Sequence, residues 1–98
     1  MKIDKKQDGS ALVIALEGRL DTTTAPDLEQ ALKGSLDGVT ALKLDMAKLD
    51  YISSAGLRVL LTAHKAMQMQ GDMKVTNVSE LVREVFDVTG FSDILTIE

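Results

Sequence analysis

Apolar residues recur along this chain with two periods, and the switches between them mark its elements. Residues 2–7 hold one strong apolar residue, Ile3, among charges, as a solvent-facing edge strand does. Asp8-Gly9-Ser10 signals a turn, and the apolar run Ala11 to Leu16 predicts a strand covered on both faces. The chain therefore opens with a hairpin whose second strand is buried. Gly18-Arg19-Leu20-Asp21 leaves that strand. Thr22 to Thr24 lead into Ala25-Pro26-Asp27, where Thr24 and Asp27 have capping-box spacing and Pro26 suits a first helical turn. Leu28, Ala31, Leu32 and Leu36 follow at helical spacing.

Beyond the Asp37-Gly38 break, Leu42, Leu44 and Met46 alternate with Lys43 and Asp45, which predicts a strand with one covered face. A short connection runs into Tyr51-Ile52-Ser53-Ser54-Ala55-Gly56, where the extended pattern gives way to a helical one. Leu57, Leu60, Leu61, Ala63, Ala66 and Met67 form the inward stripe of that helix, and Gly71 ends it. Met73, Val75 and Val78 predict another strand. Ser79 caps a third helix carrying Val82, Val85, Phe86 and Thr89 on one face, with Gly90 as its stop and Phe91 folding back onto it. Ile94 to Ile97 closes the chain as a short strand. The order ββαβαβα plus a terminal β, in a single domain spanning 1–98, predicts an α/β fold. Its sheet is mixed and mostly parallel, with helices packed against it.

Partner and ligand sites in such sheets lie at the carboxyl ends of the strands. That rim would gather Ser54 with the carboxylates of Asp21, Asp45 and Asp50. Ser54 is the expected N-cap of the second helix, where free N–H groups and the helix dipole favour negative charge. As a cap alone it is worth about 1 kcal/mol. Ala55 and Gly56 behind it leave the turn bare and open to close approach by another molecule. Gly56 also weakens a first turn relative to Ala, so stability alone would not select it.

Composition removes most kinds of chemistry. There is no Cys and one His, which excludes disulfides and thiolate metal sites and leaves little else to hold a metal. His64 lies ten residues along the helix from Ser54, roughly 15 Å at 1.5 Å per residue, too far to act as its base, and it reads as a partly buried packing residue. No nucleophile elbow, phosphate loop or dinucleotide fingerprint is present, so no enzyme activity and no cofactor are expected. A net charge of -4 without a Lys/Arg cluster argues against nucleic acid. The apolar runs are too short to cross a bilayer and the first residues lack a signal-peptide core, so a cytoplasmic location is expected. What remains is a hydroxyl that another protein modifies.

Leu49-Asp-Tyr-Ile-Ser-Ser-Ala-Gly-Leu57, with the upstream Gly18-Arg-Leu-Asp-Thr22 and the Leu42-x-Leu44-Asp45 strand, resembles the STAS-domain anti-sigma factor antagonists over essentially the whole chain. The resemblance implies binding to a serine kinase that holds a sigma factor captive. The kinase, using its own ATP, would phosphorylate the antagonist on the turn serine and eject it, and a PP2C-type phosphatase would restore it. By position the acceptor is Ser54. The partner contact implied by the resemblance comprises Asp21, Thr22, Asp45, Ser53, Ala55, Gly56 and Arg58. Ser53 departs from the family's Asp and supplies a second hydroxyl, which leaves Ser53 as the alternative acceptor. STAS-like domains also regulate other signalling and transporter complexes, which is the alternative reading.

Overall fold

A computed structural model describes all residues from Met1 to Glu98. Its elements are β1 (Lys2–Asp8), β2 (Ala11–Leu20), α1 (Ala25–Leu32), β3 (Ala41–Ile52), α2 (Ser54–Gln68), β4 (Asp72–Thr76), α3 (Glu80–Thr89), a 3-10 turn (Phe91–Asp93) and β5 (Thr96–Ile97). The five strands lie in space in the order β1-β2-β3-β4-β5. β1 is antiparallel to β2, and all later neighbours are parallel. This is the mixed, mostly parallel α/β sheet that the element order predicts.

The strand order never doubles back, and this has a structural consequence. Right-handed crossovers that always step in the same direction place every helix on the same face of the sheet. The burial pattern follows: Leu12, Ile14 and Leu16 of β2, Leu42, Leu44 and Met46 of β3, and Met73 and Val75 of β4 are buried, and all lie on the helix-covered face. The other face is bare. Val13 and Ala15 lie on it and are only half-buried, so the expectation that β2 is covered on both faces is corrected. The apolar run over 11–16 reflects one covered face and small or β-branched residues on the open one. With no reversal of strand order there is also no switch-point crevice, and any partner must dock on a surface.

β3 reaches further than alternation alone indicates. Its buried positions step from Leu42 to Leu44 and Met46 by twos, then by threes to Leu49 and Ile52. Each step of three coincides with a shift in register against β2, one between Ala15 and Glu17 and one between Gly18 and Arg19. An extra residue on β3 at each shift returns the next apolar side chain to the core face. The strand therefore runs unbroken to Ile52 and delivers the chain directly into α2.

The core contains 23 apolar residues and no buried polar or charged residue. Burying a side chain the size of Phe86 or Leu44 contributes about 1.5–3 kcal/mol each, so the core needs no metal or disulfide. Several boundaries differ from expectation. α1 stops at Leu32, with Lys33 extended, and Leu36 lies in the following loop. That loop is held by Gln70, whose Nε2 donates to the carbonyls of Leu36 and Val39. β4 ends at Thr76 because Asn77 turns the chain at φ 57, leaving Val78 outside the strand but packed on the core. Ile94 precedes the two-residue β5. α2 ends at Gln68, and Gly71 serves instead to let the chain pass Thr40, whose carbonyl oxygen would sit 2.0 Å from an added Cβ.

Candidate functional site

The serine turn is built by β3 and held by β2. The Ser53 N–H donates to the Leu20 carbonyl at 2.9 Å, which seats the turn against the carboxyl end of β2 and sets Asp21 beside it. Ser53 has extended backbone (φ -99, ψ 176), and its carbonyl accepts the first helical bond from the Leu57 N–H at 2.9 Å. Its Oγ accepts from the Gly56 N–H at 3.5 Å. Ser53 is therefore the N-cap of α2, and the expectation that Ser54 fills that position is corrected. Two adjacent serines read alike in sequence; the backbone turns helical at the second.

The correction frees Ser54. As the first residue of α2 it is exposed, and its hydroxyl takes no part in the cap. The two uncommitted N–H groups of Ser54 and Ala55 and the positive end of a 15-residue helix dipole surround it. α2 is the one α-helix here with no acid in its first turn: α1 has Asp27 there and α3 has Glu80. Arg58, exposed, stands one turn further along on the same side. This end of the molecule is set to accept negative charge and holds none of its own on the helix.

Gly56 is also corrected. It is buried, and a Cβ there would lie 2.7 Å from Leu20 Cγ and 2.9 Å from Ile52 Cγ1. The bare turn thus admits the protein's own core, not another molecule. Ala55 is half-buried against that core, so of the Ser-Ala-Gly turn only Ser54 faces solvent.

Asp21 is tied down in the loop before α1. Its Oδ1 accepts from the N–H and the hydroxyl of Thr23 at 3.0 and 2.8 Å, and from the Thr24 N–H at 3.1 Å. The Thr23 hydroxyl above all, with the Thr24 and Thr23 N–H groups, holds the Asp21 carboxyl below its ordinary value. The Thr24 hydroxyl turns back to donate to the Arg19 carbonyl at 2.7 Å and accepts from the Asp21 N–H at 2.8 Å, so the expected capping box with Asp27 does not form. Asp21 Oδ1 instead holds the N–H groups of Thr23 and Thr24 in the loop ahead of the helix. Thr22 is exposed at the tip of the same loop.

The structure separates Asp45 from this group. It lies on the open sheet face, seven positions before Ile52 and on the order of 20 Å from the serine turn at ~3.3 Å per residue. There its Oδ1 accepts from Asn77 Nδ2 and from the Ala47 N–H, both at 3.0 Å. The Asn77 amide first, then that N–H, lowers its carboxyl. Asp50 is exposed in the second register shift of β3, close to the turn. His64 is half-buried along α2, as its place on the helix predicts.

Comparison with known proteins gives this geometry a context. The sequence profile of the STAS domain matches residues 2–98. The chain belongs to the STAS family. A Bordetella bronchiseptica protein named as an anti-sigma factor antagonist, BtrV, is 38% identical over 99 residues, covering 99% of this chain and 85% of its own. The anti-sigma-B factor antagonist of Bacillus subtilis is 30% identical over 98 residues, covering 99% and 90%. The structure of the anti-sigma factor antagonist SpoIIAA in its unphosphorylated form superposes with a TM-score of 0.85 at 20% identity, over 99% of this chain and 88% of that one. At that identity the superposition shows a shared fold.

Two residues of this STAS domain lie at the same rim without having been marked in the sequence. The Arg19 guanidinium lies 4.4 Å from the centre of the Tyr51 ring, and its Nε is 3.8 Å from Asp21 Oδ2. Tyr51 comes opposite Arg19 only because β3 carries its second extra residue. Simple alternation would have paired Arg19 with a different residue, so the contact was not legible beforehand.

Proposed function

We propose that this STAS domain is an anti-sigma factor antagonist that docks, unphosphorylated, on an anti-sigma serine kinase and is released when Ser54 is phosphorylated. The observation that carries the reading is an exposed, uncommitted hydroxyl on the first residue of a helix that carries no acidic side chain in its own first turn. A phosphoryl group adds about -1.5 to -2 charges there, where the helix dipole and Arg58 favour them, so the domain stays folded. A partner packed against the turn has no such compensation. It must accommodate the added bulk and desolvate a dianion, and the complex dissociates.

The kinase supplies ATP, this chain supplies the acceptor oxygen, and a PP2C-type phosphatase resets the switch. The role is that of a regulatory binding protein and not of an enzyme. Asp21, Thr22, Ser53, Ser54 and Arg58 form the contact, while Ala55 and Gly56 shape the turn from beneath. Ser54 is the acceptor in preference to Ser53, because the Ser53 oxygen is occupied by the cap and less exposed.

Incubation with a cognate anti-sigma kinase and ATP, followed by phosphopeptide mapping, tests the assignment. Phosphate is expected on Ser54, retained in Ser53→Ala and lost in Ser54→Ala. Ser54→Asp is expected to weaken kinase binding at least tenfold, or about 1.4 kcal/mol. Equal phosphate uptake by Ser54→Ala would rule the assignment out.

A further inference from the structure

The bare face of the sheet carries a pattern of charge that the serine switch does not use. On each strand, residues two apart share this face, and cross-strand register aligns them into rows. Lys6 and Lys43 flank Val13, and Lys74 adjoins Lys43, giving a basic row across four strands. One step toward the carboxyl end of β3, Asp4 and Asp45 flank Ala15 and form an acidic row. One step the other way, Asp8 and Asp72 stand at the two ends of a second acidic row, joined by Ala11 and Ala41. Beyond the first acidic row, Lys2 and Lys48 flank Glu17. The three rows of single sign thus alternate, about 7 Å apart, and the mixed row beyond them carries two lysines to one glutamate.

Within a row, like charges stand side by side, an arrangement that costs energy on an isolated sheet. Lys43 and Lys74 are direct cross-strand neighbours. Internal partners offset this only in part: Lys74 Nζ is 3.5 Å from Glu98 Oε2 and Lys48 Nζ is 3.9 Å from Glu17 Oε1, and all four groups are well exposed. β2 contributes Ala11, Val13 and Ala15 to the middle of the face, a low uncharged furrow between the charged flanks.

We propose that this face pairs with the same face of a second copy of the chain. A two-fold axis parallel to the rows, placed between the basic row and the first acidic row, exchanges them. It lays Lys43 over the partner's Asp45, Lys6 over the partner's Asp4 and Asp8 over the partner's Lys2, while Val13 meets the partner's Ala15. On β1 and β3 the basic row then faces the first acidic row, Asp8 faces a lysine, and each contact occurs twice, as an isologous interface requires. The face spans on the order of 500 Å², below the ~800 Å² per partner of a stable complex, so the dimer is weak, reversible and salt-sensitive. The serine turn lies beyond these rows, past the carboxyl end of β3, and stays open, which keeps this pairing independent of the phosphorylation switch.

Sedimentation velocity over a concentration series tests the pairing without any kinase. The wild-type chain is expected to self-associate at low salt and to dissociate as salt rises. Lys43→Asp and Asp45→Lys, each alone, place like charges together and are expected to weaken association at least tenfold. Mixed one to one, the two variants regain opposite charges at both contacts and are expected to form a heterodimer. The double variant in one chain is expected to restore the homodimer. Because Asp45 also bonds Asn77 and Ala47, the exposed pair Lys6→Asp and Asp4→Lys repeats the experiment with no internal hydrogen bond lost, and circular dichroism checks each fold. A wild-type chain that stays monomeric at every concentration overturns the proposal, as does self-association that neither set of swaps changes.

Discussion

α2 and α3 begin in the same way, yet their starts do different work. Ser53 and Ser79 are both extended N-caps whose hydroxyls accept a bond from the residue three ahead, Gly56 at 3.5 Å and Val82 at 3.2 Å. After Ser79 comes Glu80, whose carboxylate offsets the positive end of α3. After Ser53 comes Ser54, which offsets nothing. α3 is electrically closed by its own sequence, whereas α2 waits for a charge from outside. A helix start is therefore a candidate switch because its charge is unbalanced and its next hydroxyl is free; the presence of a serine cap does not distinguish the two.

The comparison can be broken most forcefully beneath the turn. Gly56→Ala pushes a methyl into Leu20 and Ile52 and should cost about 1–3 kcal/mol by urea unfolding, as overpacking does. If it is neutral, the turn is looser than its packing implies. Next come the caps. Ser79→Ala should cost about 1 kcal/mol, and Ser53→Ala less, because its capping bond is the longer of the two.

A smaller effect sharpens the electrical contrast. Ser54→Asp should raise stability by about 0.3–1 kcal/mol and Glu80→Gln should lower it by a similar amount, with both changes shrinking as salt is added. A destabilising Ser54→Asp would remove the argument that α2 tolerates a phosphate. The smallest effect concerns the loop that carries Asp21. Its carboxyl is lower in the folded state than in the unfolded one, so the stabilisation it lends is present above the unfolded value near 3.9 and is lost as pH falls through the folded value. Asp21→Asn should therefore be less stable than wild type at pH 7, and the gap should close in strong acid. Urea midpoints at the two pH values measure it.

Much of the site was readable from local pattern, and the parts that were not share one cause. The order of elements, the Gly90 stop of α3 and its Ser79 cap follow from residues close together in the chain, and all are present in the structure. The placing of the N-cap at Ser53 and the burial of Gly56 depend on Leu20, which reaches those residues only after β2 and β3 pair. Asp45 is expected at the rim because it stands near the end of an alternating run. Two extra residues in β3 carry that strand well past it.

By itself the sequence determined which segments are strands and helices, that one buried apolar core could hold them, and that a hydroxyl stood where extended chain becomes helix. Those features are set by periodicity, capping and turn residues, which act over a few positions. Tertiary structure alone decided which serine is consumed by the cap, which carboxylate stays beside it, and that one sheet face is left uncovered. Those outcomes depend on register and on the direction of successive crossovers, and both are settled only when distant strands come together.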